Sequence, residues 1–366
     1  MGKTSTVSRS LALPMVASCF DCNWHPSCGG VRDDQGYLFG DSCFARHCCG
    51  GKANCNYLCP SNPHFARMMN EVEGLNFANL PVLMQRKVRL PLYVPSILHA
   101  SGRDRALGIP FAAIPVEEVF RRDRSGLRAK ATDPIGFRLA LGLAPSTRII
   151  INCVRPDADI ERLWEYWRQD DLPAQLVKLD IEAVIAPNYS HLQGVPKLEI
   201  VGNRMRQLIC VRDLANAGLL PVPHLSVIDP ANWDWWKRYL QRNDNVSYVA
   251  FEFETGYKRR VEGEDAIERL AAVQAELGRS LHLIVVGGTQ YRVMIQSHFR
   301  STTFIDASPF WKTVNRYRAR IDGTKMEWDK SPLPKGVPLD EMMAQNLSTY
   351  TEWMVSPLRN IVGHQS

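Results

Sequence analysis

Eight short apolar runs, each the length of one β-strand, recur along this chain and most constrain its fold. They are Leu90–Ile97, Ile109–Val116, Arg148–Cys153, Ala183–Asn188, Leu219–His224, Tyr248–Glu254, His282–Gly287 and Thr302–Asp306. From the third run onward they alternate with segments of helical period, Asp157–Leu179, Leu198–Ala217, Pro230–Gln241, Gly263–Leu277 and Gln290–Phe299. Strands that alternate with helices form right-handed βαβ units and a parallel sheet. Eight strands predict an α/β fold of the (β/α)8 TIM-like barrel type.

The repeat divides the chain into four predicted parts. These are a Cys-rich metal-binding module (1–62), a linker helix (63–89), the barrel (90–325), and a C-terminal linker and helix (326–366), with the helix over Leu339–Met354. The chain is 45% hydrophobic and 22% charged, which suits globular domains with an ordinary core. The last helix is interpreted as a lid, a packing element, or a contact with a second copy or a partner subunit.

Eight of the ten cysteines lie in the first part of the chain: Cys19, Cys22, Cys28, Cys43, Cys48, Cys49, Cys55 and Cys59. A module this small, with few large aliphatic residues, needs something other than burial to hold it together. In a cytoplasmic protein bound metal is favoured over disulfides. Cysteines 43, 48 or 49, 55 and 59 suit a [4Fe–4S] cluster because the last precedes a proline. The first three, with another cysteine, His25 or His47, suit a second site, and zinc is the alternative metal.

The N-terminus imitates a secretion signal, but its apolar run, Leu11–Ala17, is short and contains Pro14. We therefore predict a cytoplasmic protein. No apolar run approaches the roughly eighteen residues that a membrane-spanning helix needs, which predicts no membrane partner. The formal net charge of +6 permits a polyanionic partner without requiring one.

Acidic side chains end the sixth and eighth strands, where a barrel of this type places its chemistry. Strand alternation aims Glu252 and Glu254 to the same side, and two neighbouring carboxylates raise the pKa of one of them. That arrangement predicts an acid–base pair; an ion pair with Arg204 or Arg206 is the alternative. Asp306 is a candidate reactive carboxylate, and capping of the following turn is the alternative.

Further candidates for substrate binding follow the strands. They are Asn188, Tyr189, His224, Gly287 and Gly288 at strand ends, and Lys312, Arg316 and Arg318 in a basic loop after the eighth strand. Basic residues clustered at one face of a barrel favour phosphate binding. The loop therefore predicts a nucleic-acid partner, either DNA or tRNA.

Several stretches resemble the tRNA-guanine transglycosylases, which exchange guanine for a 7-deazaguanine, and their DNA-modifying relatives. The stretches are Leu90–Pro95, Asp180–Ser190 followed by Asn203–Arg206, Gly287–Thr289, Ile305–Asp306 and Arg318–Thr324. The resemblance covers about residues 90–324. It implies that Asp306 attacks the ribose C1′ carbon. Our enzyme hypothesis adds Glu252 and Glu254 as acid–base and base-reading candidates and Asn188 as a contact to the base edge. Ile151–Arg155 stands where the family has its acid–base aspartate.

The resemblance predicts a queuine tRNA-ribosyltransferase-like enzyme, a nucleobase transglycosylase or glycosylase acting on a purine in DNA or RNA. One alternative is a barrel that binds modified nucleic acid without chemistry, as a sensor or partner subunit. Another is an iron–sulfur redox enzyme that acts on a small molecule.

Overall fold

The computed structural model describes residues 71–74, 77, 80–81, 83–191, 197–255, 257 and 259–356. The predicted cysteine module therefore lies outside the described residues. The chain forms two compact units, Met1–Leu80 with Ser190–Ile209, and Pro81–Tyr189 with Cys210–Ser366. The second unit holds the strands and the candidate site described below.

Parallel strands form two four-stranded sheets, which confirms the predicted parallel α/β organisation. One sheet has the order β1 (Tyr93–Pro95), β10 (Ser301–Asp306), β9 (His282–Val286), β8 (Tyr248–Glu252). The other has the order β2 (Phe111–Pro115), β5 (Arg148–Asn152), β6 (Ala183–Ile185), β7 (Pro221–Val222). Two isolated parallel bridges, Ser96 with Ala113 and His224 with Ala250, connect β1 to β2 and the end of β7 to β8. Each strand overlaps one predicted run.

Helices connect the strands. They are α1 (Val116–Val119), α2 (Pro134–Ala140), α3 (Asp157–Tyr166), α4 (Leu172–Val177), α5 (Lys197–Asn216), α6 (Pro230–Arg242), α7 (Arg260–Leu277), α8 (Arg292–His298), α9 (Ser308–Val314) and α10 (Asp340–Val355). A 3₁₀ turn, Thr289–Tyr291, precedes α8. Among the described residues, no helix has the length and apolar character that crossing a bilayer requires.

The single helix predicted over Asp157–Leu179 is wrong, because the chain breaks it into α3 and α4. Asp171 adopts a left-handed conformation with φ of 46° and its carboxylate accepts a hydrogen bond from the N–H of Ala174. Pro173 follows within the first turn of α4, where its missing N–H costs nothing. Aspartate and proline at these positions end one helix and start the next.

Two antiparallel hairpins interrupt the strand–helix alternation. The first pairs β3 (Phe120–Asp123) with β4 (Gly126–Ala129), and the second pairs β11 (Tyr317–Asp322) with β12 (Lys325–Lys330). The second hairpin, with α9 before it, replaces the predicted basic loop, so that prediction is wrong. In β11 the buried Ala319 and half-buried Ile321 alternate with the exposed Arg318 and Arg320, which is the period of a strand with one covered face.

Two apolar clusters form the core. One takes residues from each of the eight parallel strands, including Val94, Ala113, Ile150, Ile185, Val222, Ala250, Ile284 and Ile305. The other packs Ile149, Ile151 and neighbouring strand residues against α3 and α4. Along β5, Ile150 thus faces one cluster and the residues on either side of it face the other. Burial on both faces is expected of a parallel sheet that carries helices on one face.

Helix α10 is fastened along its length. Its first residue, Asp340, accepts hydrogen bonds from the N–H groups of Asp104 (3.0 Å) and Arg105 (2.8 Å). In its middle, the fully buried Asn346 accepts from Ala319 N–H (2.7 Å) and donates to the Tyr317 carbonyl (2.7 Å). These bonds fix the helix against the β11–β12 hairpin.

Candidate functional site

Three carboxylates come together after strands β8 and β10. Glu252 and Asp306 are the last residues of these strands, and Glu254 lies two residues beyond β8. Burial raises the pKa of Glu254, the charges of Glu252 and Asp306 raise it further, and Arg155 lowers it. The Glu254 side chain is nevertheless open to solvent. The exposed surface beside these three carboxylates is called the cleft below.

The carboxylate of Asp306 accepts hydrogen bonds on both oxygens. Oδ1 accepts from the N–H and the hydroxyl of Ser308, both at 2.7 Å. Oδ2 accepts from the Tyr350 hydroxyl at 2.5 Å and from the Thr289 hydroxyl at 3.4 Å. Asp306 therefore also binds the first N–H of α9, although the N-cap residue of that helix is Ala307. Its donors come from three places in the fold: α9, the turn after β9, and α10.

Sequence reasoning missed Tyr350. The residue lies on the buried face of α10 with Met343, Leu347 and Met354, a spacing that also predicts simple packing. Burial and the Asp306 charge raise the pKa of Tyr350, so its hydroxyl keeps its proton and donates. No local sequence signal separates such a tyrosine from a core residue.

Glu252 and Glu254 lie close in sequence but have different surroundings. The Glu252 carboxylate accepts hydrogen bonds from the N–H groups of Glu254 (2.9 Å) and Thr255 (3.1 Å) and from the Thr255 hydroxyl. Glu252 thereby fastens the turn after β8. The structure gives no such hydrogen bond to the Glu254 carboxylate among the described residues.

The two glycines after β9 allow this turn to approach closely. A Cβ on Gly287 would lie 2.5 Å from Glu254 Cγ, and one on Gly288 would lie 2.8 Å from Phe253 Cβ. Both glycines have positive φ, 69° and 64°, which also disfavours other residues. Predicted as substrate-binding residues, they contact the β8 turn in this structure.

A second polar group follows strands β2, β5 and β6. The Arg155 guanidinium pairs with the Glu117 carboxylate at 2.5 Å, and the Arg155 N–H donates to Asn188 Oδ1 at 2.9 Å. Burial raises the pKa of Glu117, and Arg155 opposes that shift. Arg155 is the cation that acts on Glu254, so the two groups are electrostatically coupled. Arg155 lies in the stretch where the resemblance implied an acid–base aspartate.

Other predicted site residues lie in different surroundings. Tyr189 is 1% exposed and belongs to the apolar cluster that packs against α3 and α4, and its hydroxyl lies 3.8 Å from Cys210 Sγ. His224 is 4% exposed, and burial lowers its pKa to about 3, so it is neutral. Lys312 lies 5.0 Å from the ring centroid of Tyr317, and Arg318 reaches Ser331 at 3.4 Å. Arg316, with φ of 61°, links α9 to β11.

No group of three or more metal-ligating side chains is found among the residues that the structure describes. The two cysteines described, Cys153 and Cys210, are buried free thiols. The eight N-terminal cysteines lie outside the described residues, so their zinc or [4Fe–4S] site stays a prediction.

Comparison with known proteins adds structural similarity alone. No family model matches the chain, and no curated protein matches it. A similar solved structure is the crystal structure of an HpcH/HpaI aldolase/citrate lyase family protein from Burkholderia cenocepacia J2315. The two share 14% identity with a TM-score of 0.28, over 69% of this chain and 96% of the other. At that level the likeness assigns no activity to this chain.

The resemblance to the tRNA-guanine transglycosylases is wrong, and so is the predicted purine transglycosylase or glycosylase function. No model of that family matches the chain. The short motifs have structural explanations here, because Gly287 leaves room for the β8 turn and Asp306 accepts a hydrogen bond from the first N–H of α9. Among the described residues, the charges that act on Glu254 are those of two carboxylates, Glu252 and Asp306, and of Arg155, which is already paired with Glu117. Such a surface repels phosphates, so the described residues give the nucleic-acid alternatives no support.

Proposed function

We propose that the chain is an enzyme that transfers a proton to or from a small polar substrate in the cleft beside Glu254. One observation carries this proposal: Glu254 is open to solvent, yet burial and two neighbouring carboxylates raise its pKa. A carboxyl group whose pKa is moved toward neutrality is suited to general acid–base catalysis. Solvent access lets the same group reach a substrate.

Asp306 and Glu254 have separate roles in this proposal. Both carboxylate oxygens of Asp306 accept hydrogen bonds. That arrangement suits an ionised carboxylate, because such a group can accept hydrogen bonds but cannot donate them. The charge of Asp306 disfavours ionisation of Glu254 and so raises the pKa of that carboxyl. Two carboxyl groups in contrasting environments take different parts in acid–base chemistry, one as the proton carrier and one as a fixed charge.

We also infer that the two sheets are halves of one (β/α)8 barrel. The bridges Ser96–Ala113 and His224–Ala250 link their edge strands on both sides, which arranges the eight parallel strands in sequence order. One apolar cluster takes residues from each of these strands, as the interior of a barrel does. In a barrel the carboxyl ends of the strands form the catalytic face, and the candidate carboxylates lie there.

The charge balance of the cleft favours a class of substrate. Glu252, Glu254 and Asp306 are opposed by Arg155, which Glu117 already neutralises in part. A negative cleft attracts cationic groups and accepts neutral polar ones, and it repels polyanions. We therefore expect a small neutral or cationic molecule.

Solvent-deuterium exchange tests the proposal before any one substrate has been identified. The purified full chain is incubated in D₂O with pools of small molecules that carry a C–H beside a carbonyl group, with and without an amine. Loss of the C–H signal in the NMR spectrum reports proton transfer. Glu254→Gln should slow any exchange by about 100-fold or more. The matched control is Glu268→Gln, an exposed glutamate on α7, which should leave the rate unchanged.

Equal exchange rates for wild type and Glu254→Gln would overturn the proposal. So would a ¹³C NMR titration that places the pKa of the Glu254 carboxyl at its ordinary value of 4.5. The titration needs no substrate and checks the observation directly.

A further inference from the structure

Helix α10 brings a hydroxyl group to the carboxylates from a distant part of the sequence. Tyr350 lies 44 positions after Asp306, and its hydroxyl is 2.5 Å from Asp306 Oδ2. The same hydroxyl lies 3.4 Å from the Thr289 hydroxyl, which is also 3.4 Å from Oδ2. The Tyr350 contact is the shorter of the two donor contacts at Oδ2.

We propose that Tyr350 is a positioning residue of the site, whose hydroxyl holds the Asp306 carboxylate in place beside Glu254. This inference rests on the proposed function in so far as Glu254 is the proton carrier. Tyr350 acts through Asp306 and is not itself assigned a contact with substrate.

Packing alone explains the ring of Tyr350 but not its hydroxyl. The ring lies against Tyr93, Trp353 and Trp328, with centroid separations of 5.2, 5.1 and 6.1 Å. A phenylalanine would keep all three contacts. The hydroxyl contacts Asp306 and Thr289, so its role concerns the carboxylate.

The charged and titratable groups around these carboxylates come from several elements. Glu252 acts on Glu254 from β8, Asp306 from β10, and Arg155 from the loop after β5. Tyr350 from α10 and Tyr93 from β1 are coupled to Asp306. Thr289 and Ser308 supply the remaining hydroxyl donors to Asp306.

Removing the hydroxyl should change the titration of Glu254. The O–H dipole of Tyr350 offsets part of the negative charge on Asp306, because its positive end faces Oδ2. Without that dipole the charge penalises ionisation of Glu254 more strongly. In Tyr350→Phe we therefore expect the pKa of Glu254 to rise, because the Asp306 charge that acts on it is then less offset.

The experiment is a ¹³C NMR titration of Glu254 in the full chain. Tyr93→Phe is the matched control, because it also removes a buried hydroxyl near Asp306. The Tyr93 hydroxyl contacts the backbone carbonyl of Asp306 at 3.4 Å and not its carboxylate. That variant should leave the titration of Glu254 unchanged. In an Asp306→Asn background, Tyr350→Phe should have no further effect on Glu254, since Tyr350 acts through Asp306.

An unchanged or lowered pKa of Glu254 in Tyr350→Phe would overturn the inference, and so would equal effects of the two phenylalanine variants. An additive effect of Tyr350→Phe in the Asp306→Asn background would show a purely structural role and overturn it as well. The titration requires no catalysis. A failed exchange screen therefore counts against the proposed function, whereas a failed titration of Tyr350→Phe counts against the role of Tyr350.

Discussion

Glu252 and Glu254 show how environment divides the work of two identical side chains. The Glu252 carboxylate accepts hydrogen bonds from two backbone N–H groups of its own turn, those of Glu254 and Thr255. Glu254 projects into the cleft, where neighbouring charges disfavour its ionised form. Strand alternation predicted that both side chains would face one side. It could not predict which of the two carboxylates would accept the hydrogen bonds of the turn after β8.

The raised pKa of Glu254 predicts a stability gain in Glu254→Gln. A raised folded-state pKa contributes stability below the unfolded pKa, near 4.5, and that contribution is lost as pH rises through the folded value. Glutamine carries no charge, so the variant should unfold at a higher Tm than wild type at about pH 7 and at the same Tm near pH 4. Thermal unfolding followed by circular dichroism measures both, with Glu268→Gln as control. A wild type as stable as the variant at neutral pH would contradict the prediction.

His282 predicts the opposite dependence on pH. Thr303 donates its hydroxyl proton to the Pro91 carbonyl (2.7 Å), so it accepts from His282 Nε2 (2.8 Å), while His282 Nδ1 accepts from the Ser301 hydroxyl (2.8 Å). Burial lowers the pKa of this neutral histidine from 6.5 to about 4. The unfolded chain therefore binds more protons within that window, and stability falls as pH falls through it.

We expect urea unfolding to show this loss, up to about 1.4 kcal/mol for each pH unit between pH 6.5 and 4. His282→Gln should reduce the slope of stability against pH. His298→Gln, at an exposed position on α8, should not. Parallel slopes for wild type and His282→Gln would refute the assignment.

At the scale of elements, the turn after β9 determines how closely the β8 turn approaches. Gly287→Ala would place a Cβ 2.5 Å from Glu254 Cγ on a backbone with φ of 69°. We expect a loss of about 1–3 kcal/mol in the free energy of unfolding, from left-handed strain and from displacement of Glu254. Gly323→Ala is the matched control, because its φ is 58° and nothing lies within 4 Å of the added Cβ.

The control should lose the strain contribution alone, about 1–2 kcal/mol or less, and leave Glu254 in place. The ¹³C signal of the Glu254 carboxyl should move in Gly287→Ala and stay in Gly323→Ala. If both variants leave that signal unmoved, the close approach of the two turns is not what positions Glu254.

The hydrogen bonds of Asn346 anchor α10, and their loss should lower the free energy of unfolding. Asn346→Ala would leave the buried N–H of Ala319 and carbonyl of Tyr317 without these partners and would open a small cavity. We expect the free energy of unfolding to fall by about 2–4 kcal/mol, measured by urea titration. Ser348→Ala, exposed on the same helix, should change it by less than about 0.5 kcal/mol. Equal losses would exclude Asn346 as the anchor.

At the scale of the whole molecule, sequence periodicity was most informative where one physical cause dominated. The β-branched run at Ile149–Ile151 must be a buried strand, and β5 is one. The hairpin from Tyr317 to Lys330 was missed because its arginines were interpreted as a phosphate-binding loop, although charged and apolar residues alternate along β11. Tyr350 was missed because its partner, Asp306, is brought near by tertiary packing alone. Short motifs misled the functional prediction, since glycine and aspartate at strand ends also serve the backbone.

The proposed closure of the two sheets into one barrel predicts a single cooperative unit. Ile284→Ala in β9 removes a fully buried side chain from the shared cluster and should cost about 2–5 kcal/mol. Hydrogen exchange should then accelerate in peptides covering β5 of the other sheet as well as in β9. Ile151→Ala changes a residue on the other face of β5, and it should likewise accelerate hydrogen exchange in both sheets. Faster exchange confined to the substituted sheet would show two independent halves.

The attachment of α10 has a consequence for the order in which the protein is made. Synthesis proceeds from the N-terminus, so the eight parallel strands leave the ribosome before residues 340–355 do. A nascent chain can pair those strands while Asp306 still lacks the Tyr350 hydroxyl. On the proposed role of Tyr350, the Asp306 carboxylate gains its last hydrogen-bond donor only when α10 docks. The growing chain therefore completes the site only after its last described helix has been translated.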